Sequence, residues 1–363
     1  MKILAVFNGV SETNIPFENF MMVSDLEIDK AVCTFNGVIM SSALGEQTIT
    51  TTEAQAANKP GNKLSGLFVI AKSTLEYRPD IIHVHHALSG FVASIVGKVF
   101  LRSKLIVTIH TDYRHLYWLH KAFIWLNMRM ADYVVCNSAS TKQSIKNAVP
   151  SQYWHKNVTV IYNGVDASRI MSRTECSDGI TGSQPVRMLI IGRLVSAKGH
   201  DVLLKSISLL KEGGLDVFVD IIGDGILKNS LMDLVRVYKI DYNVRFLGLL
   251  GRDDVYARLA GADCLIVSSR WEGFCNAMVE AMFSGVPVIA SNLDVLVEVL
   301  GKENGLFFES GNADSLADKI RYMTNNYKII LERARQAKQR AFDLYELEKS
   351  SSAYAKVYRN VSS

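Results

Sequence analysis

Glu272 and Glu280 are two carboxylates in Glu-x7-Glu spacing, within the run from Arg270 to Met282. On one continuous helix of 3.6 residues per turn they would point roughly 80° apart. The surrounding residues predict a break instead. Cys264 to Val267 is a short apolar run that reads as a buried strand. Gly273 marks a turn, and Asn276, a favoured N-cap residue, opens a helix. Glu272 then falls in the loop and Glu280 about one turn inside the helix, so both can face one cleft. The N–H groups of Phe274, Cys275 and Asn276 stand at the helix start, where anions bind. Carboxylates beside an anion-holding helix end suit a ligand with both hydroxyls and phosphates, such as a nucleotide sugar.

Other candidates sit at strand ends. Arg193 and Lys198 lie five residues apart in the loop from Gly192 to Gly199, between a strand and a helix. A guanidinium fork and an ammonium so placed could grip a diphosphate, although two basic loop residues alone are usually just solvated. Gly223-Asp224-Gly225 reads alone as a tight turn; as a dinucleotide fingerprint it lacks the third glycine. No Walker A motif is present, which argues against phosphate transfer from ATP. His110 ends a strand before Thr111-Asp112, and a lone histidine there is more often structural. His83, His85 and His86 are denser, but strand alternation puts the first two on one face and His86 on the other. Acidic or Cys partners at zinc spacing are missing, and no Asp-x-Asp occurs, so no metal site is expected.

The elements that must position these residues alternate. From Lys2 to Ile161, and again from Val186 to Ala290, apolar runs of four to six residues alternate with helical stretches, which predicts an α/β chain with two doubly wound parallel sheets. Residues 1–166 form one domain, the polar stretch 167–185 a linker, 186–345 a second domain, and 346–363 a last helical segment. Open parallel sheets bind ligands beyond the carboxyl ends of their strands, where all these candidates stand. With 363 residues, 48% hydrophobic and 21% charged, the chain is long enough for two cores. A net charge of +4 argues against a dedicated nucleic-acid binder. The charge is uneven: the first 165 residues carry 15 Lys and Arg against 11 Asp and Glu, the remainder 25 of each. Five scattered cysteines fit a reducing compartment. The N-terminal run reads as a strand rather than a signal segment, and no run reaches the length of a membrane span, so a cytoplasmic protein is expected.

The setting Glu-Gly-Phe-x-Asn-x-x-x-Glu-Ala-Met, followed by Ser284-Gly285-Val286-Pro287-Val288-Ile289-Ala290, closely resembles the retaining glycosyltransferases of family 4. That family has the GT-B fold, two Rossmann-like domains facing across a cleft. The resemblance covers nearly the whole chain and is strongest from Ile161 to Ala290. It implies transfer of a sugar from a nucleoside diphosphate to a hydroxyl acceptor, with retention, by front-face attack, and with no cofactor or metal. It gives Glu272 and His110 to the transferred sugar and Glu280 to the ribose. Arg193, Lys198 and the amides at Phe274, Cys275 and Asn276 go to the diphosphate. Gly223, Asp224 and Leu247 flank the base. Many members carry Gly-Gly after the first strand; this chain has Asn8-Gly9, with Gly9 near the diphosphate and Ser11 to Phe20 as the acceptor loop. The last helix crosses back to the first domain. An epimerase or phosphorylase on the same fold, or a non-catalytic partner subunit, is the alternative.

One helix bears on the acceptor. Tyr113 to Met130 reads as a long aromatic helix on which Arg114, Trp118, Lys121 and Trp125 share one broad stripe. Indoles with basic side chains suit an anionic membrane surface, which points to a lipid-linked glycan acceptor in bacterial surface polysaccharide or lipopolysaccharide synthesis. An ordinary core helix with solvated charges is the equal alternative.

Overall fold

The computed structural model describes residues 1–8, 14–23, 28–34, 37–40, 63–150, 157–174 and 185–362. Gly9 and Ser11 to Thr13 of the expected acceptor loop lie outside the described residues, as does Cys176. The chain divides into two compact units, Met1–Gly164 with Leu347–Ser363, and Val165–Glu346.

Unit 1 runs β1 (Lys2–Val6), α1 (Ile15–Met21), β2 (Asp29–Thr34), β3 (Gly37–Met40), α2 (Lys63–Tyr77), β4 (Ile81–Val84), α3 (Ala87–Val96), β5 (Lys104–Ile109), α4 (Trp118–Met130), β6 (Tyr133–Cys136), α5 (Ala139–Ala148) and β7 (Val158–Val160). Unit 2 runs α6 (Ala167–Thr174), β8 (Val186–Ile191), α7 (His200–Glu212), β9 (Val217–Ile222), α8 (Lys228–Val237), β10 (Val244–Gly248), α9 (Arg252–Ala260), β11 (Cys264–Val267), α10 (Asn276–Ser284), β12 (Val288–Ser291), α11 (Asp294–Leu300), β13 (Leu306–Phe308), α12 (Ala313–Asn325) and α13 (Tyr327–Leu344). The last helix, α14 (Leu347–Ser362), belongs to unit 1.

The strand orders are β3-β2-β1-β4-β5-β6-β7 and β10-β9-β8-β11-β12-β13. Both are doubly wound, and the order reverses between β1 and β4 in one sheet and between β8 and β11 in the other. The strands are apolar almost throughout because helices cover both faces. In β1, Leu4 and Val6 pack on one side with Ile82, Val84 and Val107, while Ile3 and Ala5, with Phe7 just beyond the strand, pack on the other with Tyr354 and Tyr358 of α14. The C-terminal helix thus closes the second face of unit 1.

Several local expectations change. Unit 1 is not wholly parallel: β3 pairs antiparallel to β2 at the sheet edge. Within the expected linker, Ala167–Thr174 is helical, with Ile170 fully buried and Arg169 and Arg173 both bound to Asp253. The expected aromatic helix starts late. The Asp112 carboxylate accepts the Arg114 N–H and caps a short 3-10 turn at Tyr113–His115; the α-helix begins only at Trp118. Between α13 and α14 the chain breaks at Tyr345-Glu346, where it passes from unit 2 to unit 1.

Candidate active site

The reversal point of unit 2 gathers most of the expected residues. The loop after β8 carries Arg193 and Lys198, and the loop after β11 carries Ser268 to Glu272. These two loops are stitched together. Ser268 Oγ donates to the Lys198 carbonyl at 2.9 Å, and the Arg270 N–H to the Ala197 carbonyl at 2.7 Å. The Arg270 guanidinium grips the Asp201 carboxylate in bidentate fashion, at 2.8 and 2.6 Å, and also reaches the Ser196 carbonyl. This hydrogen bonding holds the Asp201 carboxyl below its ordinary range. Gly199 makes the close approach possible: its φ is 62°, and a Cβ there would lie 2.0 Å from the Ser268 carbonyl oxygen.

On this platform Lys198 Nζ donates to Glu272 Oε1, and Ser269 Oγ donates to the same oxygen at 2.8 Å. Both side chains are largely buried. Burial works to lower the Lys198 ammonium, but the Glu272 carboxylate outweighs it and holds the amine above its ordinary value. Glu272 Oε2 keeps no partner among the described residues. Arg193 is exposed and its guanidinium pairs with nothing described. The site therefore offers one free cation, one paired cation and a carboxylate oxygen able to accept a hydroxyl.

Helix α10 begins beside the pair. Asn276 is its first helical residue rather than its cap; Cys275 takes the cap position with no side-chain hydrogen bond. The reason is that the Cys275 carbonyl already receives the Met278 and Val279 N–H groups, so the helical ladder begins one residue earlier than the sequence suggested. Cys275 itself supplies no side-chain cap. Burial, and then the Glu272 carboxylate, push the Cys275 thiol up to about 12, so it stands as a neutral small group rather than a nucleophile. Phe274 is buried with its ring edge against Tyr345, at 5.7 Å. Glu280 lies about one turn inside α10 and is only 8% exposed.

The remaining unit 2 candidates are at neighbouring strand ends. Gly223, at φ 135°, packs so closely that a Cβ would lie 2.0 Å from the Gly192 carbonyl oxygen; this gives it a packing reason independent of any ligand. Asp224 accepts the Gly225 N–H at 2.7 Å and the Lys228 ammonium at 3.0 Å, which holds its carboxyl low and closes the turn. Leu247 is the bulged residue of edge strand β10, between Phe246 and Gly248, where the register with β9 shifts.

At the reversal point of unit 1 the chemistry differs. His83, His85 and His110 share one face, as alternation requires. His83 lies between the Tyr358 hydroxyl and the Thr108 hydroxyl, both at 2.7 Å. His85 Nδ1 and His110 Nε2 are 3.0 Å apart, and Phe7 stacks on His85 at 4.3 Å. Asn137 donates to the His110 carbonyl. Burial pushes His83 and His110 down to about 3, His86 and His200 down to about 4, and His85 well below its ordinary value. A cavity of about 120 Å³ opens beside them, lined by His85, His86, His110, Leu116, His120 and Asn127. Among the described residues no group of three or more His, Cys, Asp or Glu could hold a metal ion, and no helix is long and apolar enough to cross a membrane.

The membrane-facing stripe does not form. Arg114 lies off the helix and is paired to both oxygens of Asp112, Nε donating to Oδ1 and Oδ2 at 3.1 Å and Nη2 to Oδ2 at 2.7 Å. Lys121 turns back to the Arg114 carbonyl and lies over the Tyr113 ring. Trp125 packs on the core with Arg129 over its ring. Only Trp118 of the four is a free exposed side chain, at 74%.

Sequence reasoning missed Ser269, the Arg270–Asp201 clamp and the pairing of His85 with His110. Alternation had placed His85 beside His83, and adjacency of β4 and β5 could have extended that to His110. The clamp joins residues 69 apart and left no signal.

Two family models match the chain: one described as glycosyl transferases group 1 over residues 180–343, and one described as glycosyltransferase family 4 over 47–169. An uncharacterized glycosyltransferase of Methanocaldococcus jannaschii is 30% identical over 278 residues, covering 73% of this chain and 72% of the relative. The O-antigen biosynthesis glycosyltransferase WclY of Escherichia coli is 26% identical over 295 residues, covering 78% and 80%. Among solved structures, Anabaena HepE in complex with UDP and glucose aligns with a TM-score of 0.79 at 19% identity, covering 99% of this chain and 100% of that one. Sucrose-phosphate synthase of Thermosynechococcus elongatus aligns with 0.78 at 16%, covering 99% and 98%.

Proposed function

The chain belongs to the group 1 glycosyltransferases, family 4, with the GT-B fold, and from that premise we propose that it moves a sugar from a nucleoside diphosphate to a hydroxyl of a glycan acceptor, with retention and without a metal. The lipid-linked acceptor loses its support with the basic stripe. The observation that carries this reading is the Lys198–Glu272 pair beside the free Arg193 and the start of α10. As the sugar–phosphate bond breaks, negative charge develops on the leaving diphosphate. Lys198, held by Glu272, and the N–H groups of α10 meet that charge in fixed positions, and the exposed Arg193 folds onto it, so little reorganisation is needed at the moment of reaction. Glu272, tethered through Oε1, accepts a hydroxyl of the transferred sugar at Oε2. Glu280 accepts the ribose hydroxyls, and Gly223, Asp224 and Leu247 border the base. Three cationic or dipolar groups supply the stabilisation a divalent ion would otherwise give.

HepE was solved with UDP and glucose, which supports a uridine nucleotide as the first donor to try. The name of the E. coli relative supports a surface-polysaccharide acceptor. A thermal-shift screen of nucleoside-diphosphate sugars tests the donor: a true donor at 100 times its dissociation constant adds about 2.7 kcal/mol. Anomer analysis of the product tests retention. No stabilisation by any nucleotide, or turnover of donor to an isomer without acceptor, would reject the reading, the second in favour of an epimerase.

A further inference from the structure

His85 Nδ1 and His110 Nε2 meet at 3.0 Å, with ring planes 17° apart and centroids 5.3 Å apart. A centroid separation so much longer than the nitrogen contact places the rings edge to edge, along an N–H···N hydrogen bond. A neutral imidazole has one N–H and one bare nitrogen. The bond therefore couples the two tautomers. Either His85 donates from Nδ1 and the proton of His110 sits on Nδ1, or His110 donates from Nε2 and the proton of His85 sits on Nε2.

The two outer nitrogens, His85 Nε2 and His110 Nδ1, are buried and bond to nothing among the described residues. One of them must be an N–H. A buried N–H without a partner is the more costly orphan, since native proteins tolerate an under-satisfied acceptor more readily. His85 is the worse place for it: the ring is 6% exposed, with Phe7 stacked on it at 4.3 Å and His83 at 4.1 Å. His110 is partly exposed as a residue, although its Nδ1 is as buried as His85 Nε2, and it follows β5 on the side where an open sheet meets its ligand. The lone N–H belongs on His110.

We infer that His85 is a positioning residue: it holds His110 in the Nδ1–H tautomer, so that His110 offers a single hydrogen-bond donor to an oxygen of the bound sugar. This rests on the proposed function only for the identity of the ligand. Free histidine favours the opposite tautomer, so the state is one the fold has to impose, as second groups do for catalytic and metal-bound histidines.

Nitrogen-15 spectra of protein labelled at histidine read the tautomer directly, with His110 assigned by its loss in His110→Gln. The expected result is Nδ1–H for His110 in the unaltered protein. His85→Phe keeps a ring against Phe7 but deletes the nitrogen; His110 should revert to Nε2–H, and kcat should fall at least tenfold with the donor KM within twofold. His85→Asn, whose amide can stand in for Nδ1, should restore most of both, and His85→Gln, one bond longer, should not. An Nε2–H His110 in the unaltered protein overturns the inference even if His85→Phe fails to fold. A tautomer indifferent to His85, or a kcat unchanged after the switch, overturns it as well. If the unaltered protein transfers no sugar at all, the proposed function fails while the spectra still decide the tautomer.

Discussion

The two units reach the same topological crossing with opposite chemistry. At the β8/β11 crossing, unit 2 places Lys198, Glu272, Arg193, Arg270 and Asp201, a set of charges held by short loops and backbone hydrogen bonds. At the β1/β4 crossing, unit 1 places Phe7, His83 and His85, with His110 from the adjoining strand, a neutral and mostly buried imidazole group. The same backbone arrangement presents strand ends to a ligand in both. What differs is the charge each presents: unit 2 offers cations and a carboxylate, unit 1 neutral imidazoles. A sheet fixes where a ligand goes, and the side chains at its carboxyl edge fix what it is.

Acid should separate the units most. His83 and His85 are neutral in the folded chain with depressed values, while the unfolded chain takes up their protons near 6.5. The stability they contribute is complete above about pH 6.5 and is lost as pH falls, by about 1.4 kcal/mol per unit for His83, or about 2 kcal/mol by pH 5, with His85 acting in the same direction. Unit 2 has His200 alone in this state. Hydrogen exchange at pH 7.5 and 5, after correction for the intrinsic rate, should show β4 and β5 losing protection ahead of β8 and β11; equal loss would erase the distinction. Next in size is turnover. Lys198→Ala and Glu272→Gln should each cut kcat at least a hundredfold, about 2.7 kcal/mol. Because the pair is largely buried, Lys198→Ala should also lower stability by about 1–3 kcal/mol, measurable by denaturant melts. The half-exposed Arg270–Asp201 clamp should be worth less, about 0.5–1 kcal/mol of coupling in a double-mutant cycle of stability. The smallest effect should be none: EDTA should leave transfer unchanged, and loss that Mg²⁺ or Mn²⁺ restores would give the diphosphate charge to a metal instead.

Much of this was legible in the sequence because parallel strands buried on both faces read as apolar runs, and each run ends at a residue that can act. Glu272, Lys198 and Arg193 stood at such ends, in runs specific enough to suggest a family. The failures have a common form: hydrogen bonds and burial set in three dimensions override what local pattern and preference suggest. Asp112 interrupted the helix that was to carry the basic stripe, and Lys121 and Arg114 then found local partners. Asn276 lost the cap position to a residue with no capping side chain, because backbone geometry, not side-chain preference, set the helix start. The polar stretch after Asp166 forms a helix that buries Ile170 completely, and Arg169 pairs at its surface with Asp253, 84 residues further along the chain.

The central claim is that the charged crossing of unit 2, and not the imidazole crossing of unit 1, holds the diphosphate. Calorimetric titration of UDP, or of whichever nucleoside diphosphate the donor screen selects, into the unaltered protein, Lys198→Ala and His110→Ala tests it directly. The account predicts at least thirtyfold weaker binding for Lys198→Ala, about 2 kcal/mol, and a change within threefold for His110→Ala. Binding that survives loss of Lys198 and collapses with loss of His110 would contradict it.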